Sequence, residues 1–302
     1  MNVLELDRAS KAYDGHIAVD EVSLAIGEGA IFGLLGPNGA GKTTAIRMMV
    51  GIIVPDSGAV RLFGEPFARR HLRAVGYIPE ERGLYRKVRL NEHLRFLARL
   101  NGLTRRAADE AALRWCRRLE LDAWLRRPVE ELSKGMQQKA QFIAAVMHRP
   151  RLLILDEPFS GLDPLNASVL IDALAELRRD GATILLSTHR MDQVERLCDS
   201  ICLIDRGRAV LSGGLREIRA RFSGNWVALG FDGEANFLAD RALVADCVRR
   251  DGHIEVRLKP GTDPQDLLKR AMASGRVTRF EAIEPSLEEI FIASVGGSRD
   301  GR

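Results

Sequence analysis

The sequence is short of several things. It has four cysteines, Cys116, Cys198, Cys202 and Cys247, and none stands in a C-x-x-C pair. Cys198 and Cys202 are four apart with no ligand set around them, which reads as packing rather than a zinc site. A reducing compartment is implied. There is no run of about 18 uninterrupted apolar residues, the length a membrane-spanning helix needs, and no signal-peptide pattern at the N-terminus. A cytoplasmic protein is expected, with any membrane role coming through a partner. Internal repeats and low-complexity segments are also missing. The charge excess is only +4, from 45 basic and 41 acidic residues, too small to argue for nucleic acid by itself. Local clusters stand out more, at Arg69-Arg70-His71-Arg73, Arg105-Arg106, Arg114-Arg117-Arg118 and Arg126-Arg127. They read either as solvated helix faces or as a surface meeting anionic lipid headgroups or an acidic partner.

What is present is more telling. The 302 residues are 46% hydrophobic and 28% charged, enough for one large domain or two smaller ones with a sizeable core. Gly36-Pro37-Asn38-Gly39-Ala40-Gly41-Lys42-Thr43-Thr44 matches G-x-x-x-x-G-K-T, a phosphate-binding loop. Its glycines let the backbone curl so that successive N–H groups point inward at phosphate oxygens. Lys42 adds a mobile charge for the β- and γ-phosphates, and the Thr43 hydroxyl can ligate magnesium. The apolar run Ile31–Leu35 before the loop predicts a buried strand. Ala45–Val50 after it predicts a helix whose N-terminus faces the phosphates.

Further along, Val22, Leu24 and Ile26 alternate with Ser23 and Ala25, a strand signal, and Val60–Gly64 adds a strand and turn. Pro79 to about Pro150 is rich in Arg, Leu and Ala at helical spacing and predicts a mostly helical insert. Strands are then predicted at Leu152–Leu155 and Thr183–Leu186, with a helix over Val169–Arg179 between them. This alternation argues for a parallel sheet. Ile201–Ile204 and Ala209–Leu211 predict a hairpin. The character shifts near Phe222-Ser223-Gly224, where a domain boundary is placed. Beyond it come a half-buried strand at Ile254, Val256 and Leu258, a helix started by Asp263-Pro264, and a capping box at Ser286 and Glu289. Gly296 to Arg302 reads as frayed.

The strand Leu152–Leu155 ends in Asp156-Glu157-Pro158. Asp156 emerges where magnesium would sit, and Glu157 can polarise a water for in-line attack on a γ-phosphate. Between this strand and the phosphate loop lies Leu132-Ser133-Lys134-Gly135-Met136-Gln137-Gln138. Together these motifs resemble the ATP-binding cassette (ABC) ATPases, whose usual signature is Leu-Ser-Gly-Gly-Gln. The resemblance covers about residues 2–220 in five ordered motifs. It implies that Tyr13 stacks on adenine, that Ser160–Asp163 is the loop after the second carboxylate, and that His189 contacts the γ-phosphate. The fold it implies is α/β: a P-loop NTPase core with a mixed sheet and a helical subdomain, about 80–150. Residues 1–222 would form this ATPase domain and 223–302 a small α+β accessory domain.

Two motifs depart from the family pattern. Glu80 stands where a glutamine near magnesium and the attacking water is usual, and in the signature Lys134 stands where glycine is usual and Met136 where glutamine is usual. With Gly76–Tyr85 and the tail Glu284–Phe291, these features are similar to a bacterial exporter branch described for sodium or drug efflux. The resemblance implies ATP and Mg2+ as cofactors, and Thr43, Asp156 and Glu80 around the metal. It further implies a head-to-tail homodimer in which Ser133 and Gly135 of one subunit close the other's nucleotide site. Separate transmembrane permease subunits would receive the motion at the cytoplasmic face of the membrane, with no direct nucleic-acid contact. The alternative is a soluble ABC-type ATPase acting on nucleic acid or ribosomes.

Overall fold

Strand burial separates two kinds of sheet in the first two-thirds of the chain. The computed structural model describes residues 1–81, 83–222, 226–283 and 286–296. Strands β1 (Asn2–Tyr13) and β2 (His16–Gly27) alternate in burial, as expected where one sheet face meets a core and the other meets solvent. Strand β3 (Ile31–Leu35) is buried throughout and leads through the glycine-rich loop into helix α1 (Lys42–Met49). Next come β4 (Ser57–Leu62), β5 (Glu65–Pro66) and β6 (Val75–Ile78). Three helices follow, α2 (Leu90–Leu100), α3 (Arg105–Arg118) and α4 (Lys134–Val146). The chain then returns to β7 (Leu152–Asp156), α5 (Pro164–Arg179), β8 (Thr183–Thr188), α6 (Met191–Leu197), β9 (Ser200–Asp205) and β10 (Arg208–Gly214).

These strands make two sheets. The first has the order β2-β1-β4-β5 and is antiparallel. The second has the order β10-β9-β3-β8-β7-β6, and its five strands from β9 to β6 run parallel. β7 and β8 are wholly buried, which is why their sequences are continuous apolar runs. The main core joins Leu4, Leu24 and Ile26 of the antiparallel sheet to Ile46 and Met49 of α1 and to Phe32 and Ile154 of the parallel sheet.

The insert is helical, as its composition predicts. Leu90, Leu94 and Ala98 fall one turn apart along α2 and are fully buried. Thr104 caps α3 by accepting the Ala107 N–H at 3.3 Å. Trp115 of α3 meets Phe142 of α4 edge to face, with centroids 5.9 Å apart. Helix α5 begins five residues before the predicted span because Asp163 caps it, accepting the Asn166 N–H at 2.8 Å, and Pro164 opens its first turn. Helix α6 has only Val194 and Gln193 buried, too few apolar positions to signal itself.

The chain divides into two units, Met1–Ser212 and Gly213–Arg302. The division falls ten residues before the boundary placed at 222, because α7 (Leu215–Phe222) groups with the second unit. Ser223 and Gly224 lie outside the described residues. The second unit contains β11 (Trp226–Asp232), β12 (Val244–Arg250), β13 (His253–Leu258), α8 (Pro264–Ser274), β14 (Arg276–Ala282) and α9 (Leu287–Gly296). Its antiparallel sheet has the order β12-β13-β11-β14. Val227, Leu229, Val256 and Leu258 pack with Leu267 and Ala271 of α8 in a separate core. The Ser286–Glu289 capping box forms: Glu289 accepts the Ser286 N–H at 2.8 Å, and Ser286 Oγ accepts the Glu289 N–H at 3.3 Å. Glu284, Pro285 and the tail beyond 296 lie outside the described residues.

Candidate nucleotide site

Parallel strands deliver their following loops to one edge, and there the motif residues meet. The phosphate loop follows β3, Glu80 follows β6, Asp156 ends β7, and His189 follows β8. Asn38, Gly39, Lys42, Thr43, Glu80, Asp156 and Glu157 line one cleft of about 380 Å³, with Ala40, Gly41, Thr44 and Ala18.

Gly36, Gly39 and Gly41 all take a left-handed φ, and at the first and last a close contact adds to it. Gly36 has φ 149° and Gly41 has φ 107°, backbone that other residues rarely adopt. A Cβ on Gly36 would land on the Ile204 carbonyl, and one on Gly41 on the Ala18 carbonyl. Gly41 caps α1 without any side-chain hydrogen bond. The first N–H groups of α1 therefore stay free for an anion. Lys42 is buried, and its ammonium donates to the carbonyls of Gly36 at 2.7 Å and Pro37 at 3.1 Å. Burial pushes the Lys42 ammonium below its usual range, while the carboxylates of Glu157, Asp156 and Glu80 push it back up. One cation thus faces three acids.

Asp156 is almost fully buried. One of its oxygens accepts from the Ser187 hydroxyl, and the other, Oδ2, has no hydrogen-bond partner among the described residues. A buried carboxylate oxygen left bare, in a cleft that Thr43 also lines, suits a hard divalent cation. Glu157 has φ 49° and precedes a proline, a doubly disfavoured backbone that costs on the order of 1–3 kcal/mol. Its N–H is shared between Ser187 O at 3.1 Å and Ser187 Oγ at 3.3 Å. Its Oε1 lies 2.9 Å from His189 Nδ1, a hydrogen bond that the carboxylate accepts. Ser187 thus holds both neighbouring acids from the adjacent strand. Its register opposite Asp156 is a property of the sheet, so motif spacing alone gave no sign of this role.

Not every candidate joins the cleft. Tyr13 is 42% exposed at the β1–β2 turn, does not line the cleft, and has the Lys11 ammonium 5.8 Å from its ring centroid. Ser133, at the N-cap of α4, and Gly135, in its first turn, also lie outside the cleft. The Ser133 hydroxyl caps that helix by accepting the Met136 N–H at 3.3 Å. A second cleft of about 410 Å³ lies beside Pro79 and is mostly apolar, lined by Ile52, Tyr77, Leu84, Leu97 and Gln141 among others.

Known proteins place this arrangement. A family model described as ABC transporter matches residues 19–160. A protein from Bacillus subtilis named as an uncharacterized ABC transporter ATP-binding protein, YhaQ, is 40% identical over 97% of this chain and 99% of its own length. The chain belongs to the ABC transporter ATP-binding proteins. A second model, for the C-terminal domain of DrrA1-3-like ATP-binding proteins, matches residues 213–295 of this ABC protein. The Nod factor export ATP-binding protein I of Cupriavidus metallidurans is 34% identical over 97% of both chains. A solved structure titled as the ATP binding subunit of an ABC transporter superposes with TM-score 0.68 at 36% identity, covering 73% of this chain and 93% of that one. The subunit is an ATPase that binds and hydrolyses ATP to drive transport through separate membrane subunits. No helix among its described residues is long and apolar enough to cross a membrane.

Proposed function

We propose that this subunit powers an exporter from the cytoplasmic face of the membrane, as a homodimer that hydrolyses two ATP molecules at composite sites. The convergence of the phosphate loop, Glu80, Asp156 and Glu157 in one cleft, with Ser133 and Gly135 outside it, carries the reading. The phosphate loop takes the triphosphate, with Lys42 exchanging its carbonyl partners for phosphate oxygens. Thr43, Asp156 and Glu80 would hold magnesium, which when bound would supply positive charge toward the phosphates. Glu157 accepts a proton from the attacking water, and His189 orients Glu157 and reaches the γ-phosphate. Tyr13 stacks on adenine. The open side is closed by Ser133 and Gly135 of a second copy.

The apolar cleft beside Pro79 receives a membrane subunit, so that movement there reaches Glu80 one residue away. Export is supported by the Nod factor export relative, and the cargo is chosen by the membrane subunits. The test is Glu157→Gln. ATP binding is expected to persist while turnover falls at least about a hundredfold. Full turnover would remove Glu157 from the base role.

A further inference from the structure

Helix α4 carries Ser133 and Gly135 at its start and two buried glutamines further along, Gln138 and Gln141, only 5% and 6% exposed. They are three residues apart and so share a helix face. Gln138 Nε2 donates to the carbonyl of Pro158 at 3.0 Å. Gln141 Nε2 donates to the carbonyls of Pro79 at 3.2 Å and Glu81 at 3.4 Å. Carbonyls only accept, so the amide orientation is fixed by these partners. Pro158 directly follows Glu157, and the pair Pro79 and Glu81 brackets Glu80. Each carboxylate-bearing loop is therefore tied to α4 at the residue beside its carboxylate. The first turn of α4 approaches the same region, since a Cβ on Gly135 would sit 3.5 Å from Leu162 in the loop after Glu157.

Neither glutamine touches the nucleotide cleft, and neither is needed to fill the core, where an apolar side chain would serve. A buried primary amide spent on a backbone carbonyl fixes position. Among the described residues the Oε1 of Gln141 has no hydrogen-bond partner, a desolvation cost borne to keep its amide on the Glu80 loop.

We propose that Gln138 and Gln141 are positioning residues for ATP hydrolysis, a two-point clamp by which α4 sets the Glu157 and Glu80 loops of its own chain. The inference rests on the assignment of those two carboxylates to the reaction. Through the clamp, a load on the first turn of α4 is felt at both acids of the same subunit, besides any contact α4 makes with a partner's nucleotide.

The test uses the full chain with Gln138→Leu, Gln141→Leu and Gln141→Glu, reading kcat, KM, ATP binding and thermal melting. Both leucine variants are expected to bind ATP within about twofold of the parent and to lose about ten- to a hundredfold in kcat, the cost of a misplaced catalytic group. Gln141→Glu adds a readout that a purely structural role would not move. A protonated carboxyl can donate to Pro79 and a carboxylate cannot, so this variant should regain activity relative to the parent as pH falls, while Gln141→Leu does not. If Gln141→Leu does not fold, the Gln141→Glu profile decides. Unchanged kcat in both leucine variants, losses matched by equal loss of ATP affinity, or parallel pH profiles for the two Gln141 variants would overturn the clamp. The underlying reading fails separately, through full turnover by Glu157→Gln.

Discussion

Gly41 shows how little freedom a single residue has in this site. Its φ of 107° and the Ala18 carbonyl against it both exclude a side chain. Gly41→Ala is expected to distort the first turn of α1 and weaken ATP binding more than about tenfold, measured by titration with a nucleotide analogue. His93 is a different case. It is fully buried, neither ring nitrogen has a hydrogen-bond partner among the described residues, and the Tyr85 ring meets it edge to face at 5.5 Å. Burial pushes the His93 imidazole below its usual range, and does the same to His148. The unfolded chain then takes up protons that the folded chain refuses. Stability is therefore full above the unfolded value near pH 6.5 and falls as pH drops below it, by up to about 1.4 kcal/mol per pH unit for each histidine. His93→Phe keeps the edge contact with Tyr85 and removes one proton from this balance. Melting temperature between pH 7 and pH 5 should fall less steeply for the variant; equal slopes would contradict the account.

At the scale of elements, α2 separates residues that look alike in sequence. Leu94 is fully buried, whereas Phe96, two positions on, is 47% exposed. Leu94→Ala should cost about 2–5 kcal/mol and Phe96→Ala about 1 kcal/mol or less, read from denaturant midpoints. The same contrast explains what could be read in advance. The phosphate loop, Asp156-Glu157 and the buried strands β3, β7 and β8 were legible because their chemistry lies in contiguous runs. The start of α5 was written in Asp163-Pro164, yet apolar spacing alone placed it too late. The exposed edge strands β12 and β14 carry little alternation, and neither is legible. Ser187, Gln138 and Gln141 act across the fold, on partners 20 to 62 residues away, and only register and helix facing bring them there.

Each unit packs apolar residues of its own, and the cleft is built entirely from the first. A fragment ending at residue 214, which keeps β10 complete, is therefore expected to bind ATP within about threefold of the full chain. Isothermal titration of both would check it, and a loss beyond about tenfold would show that the second unit supports the site.

The ammonium of Lys42 is seated on the Gly36 and Pro37 carbonyls of its own loop. In the proposed cycle, arrival of a triphosphate is an exchange of partners, and a loop already braced by its own lysine has nothing to rebuild when the next one comes.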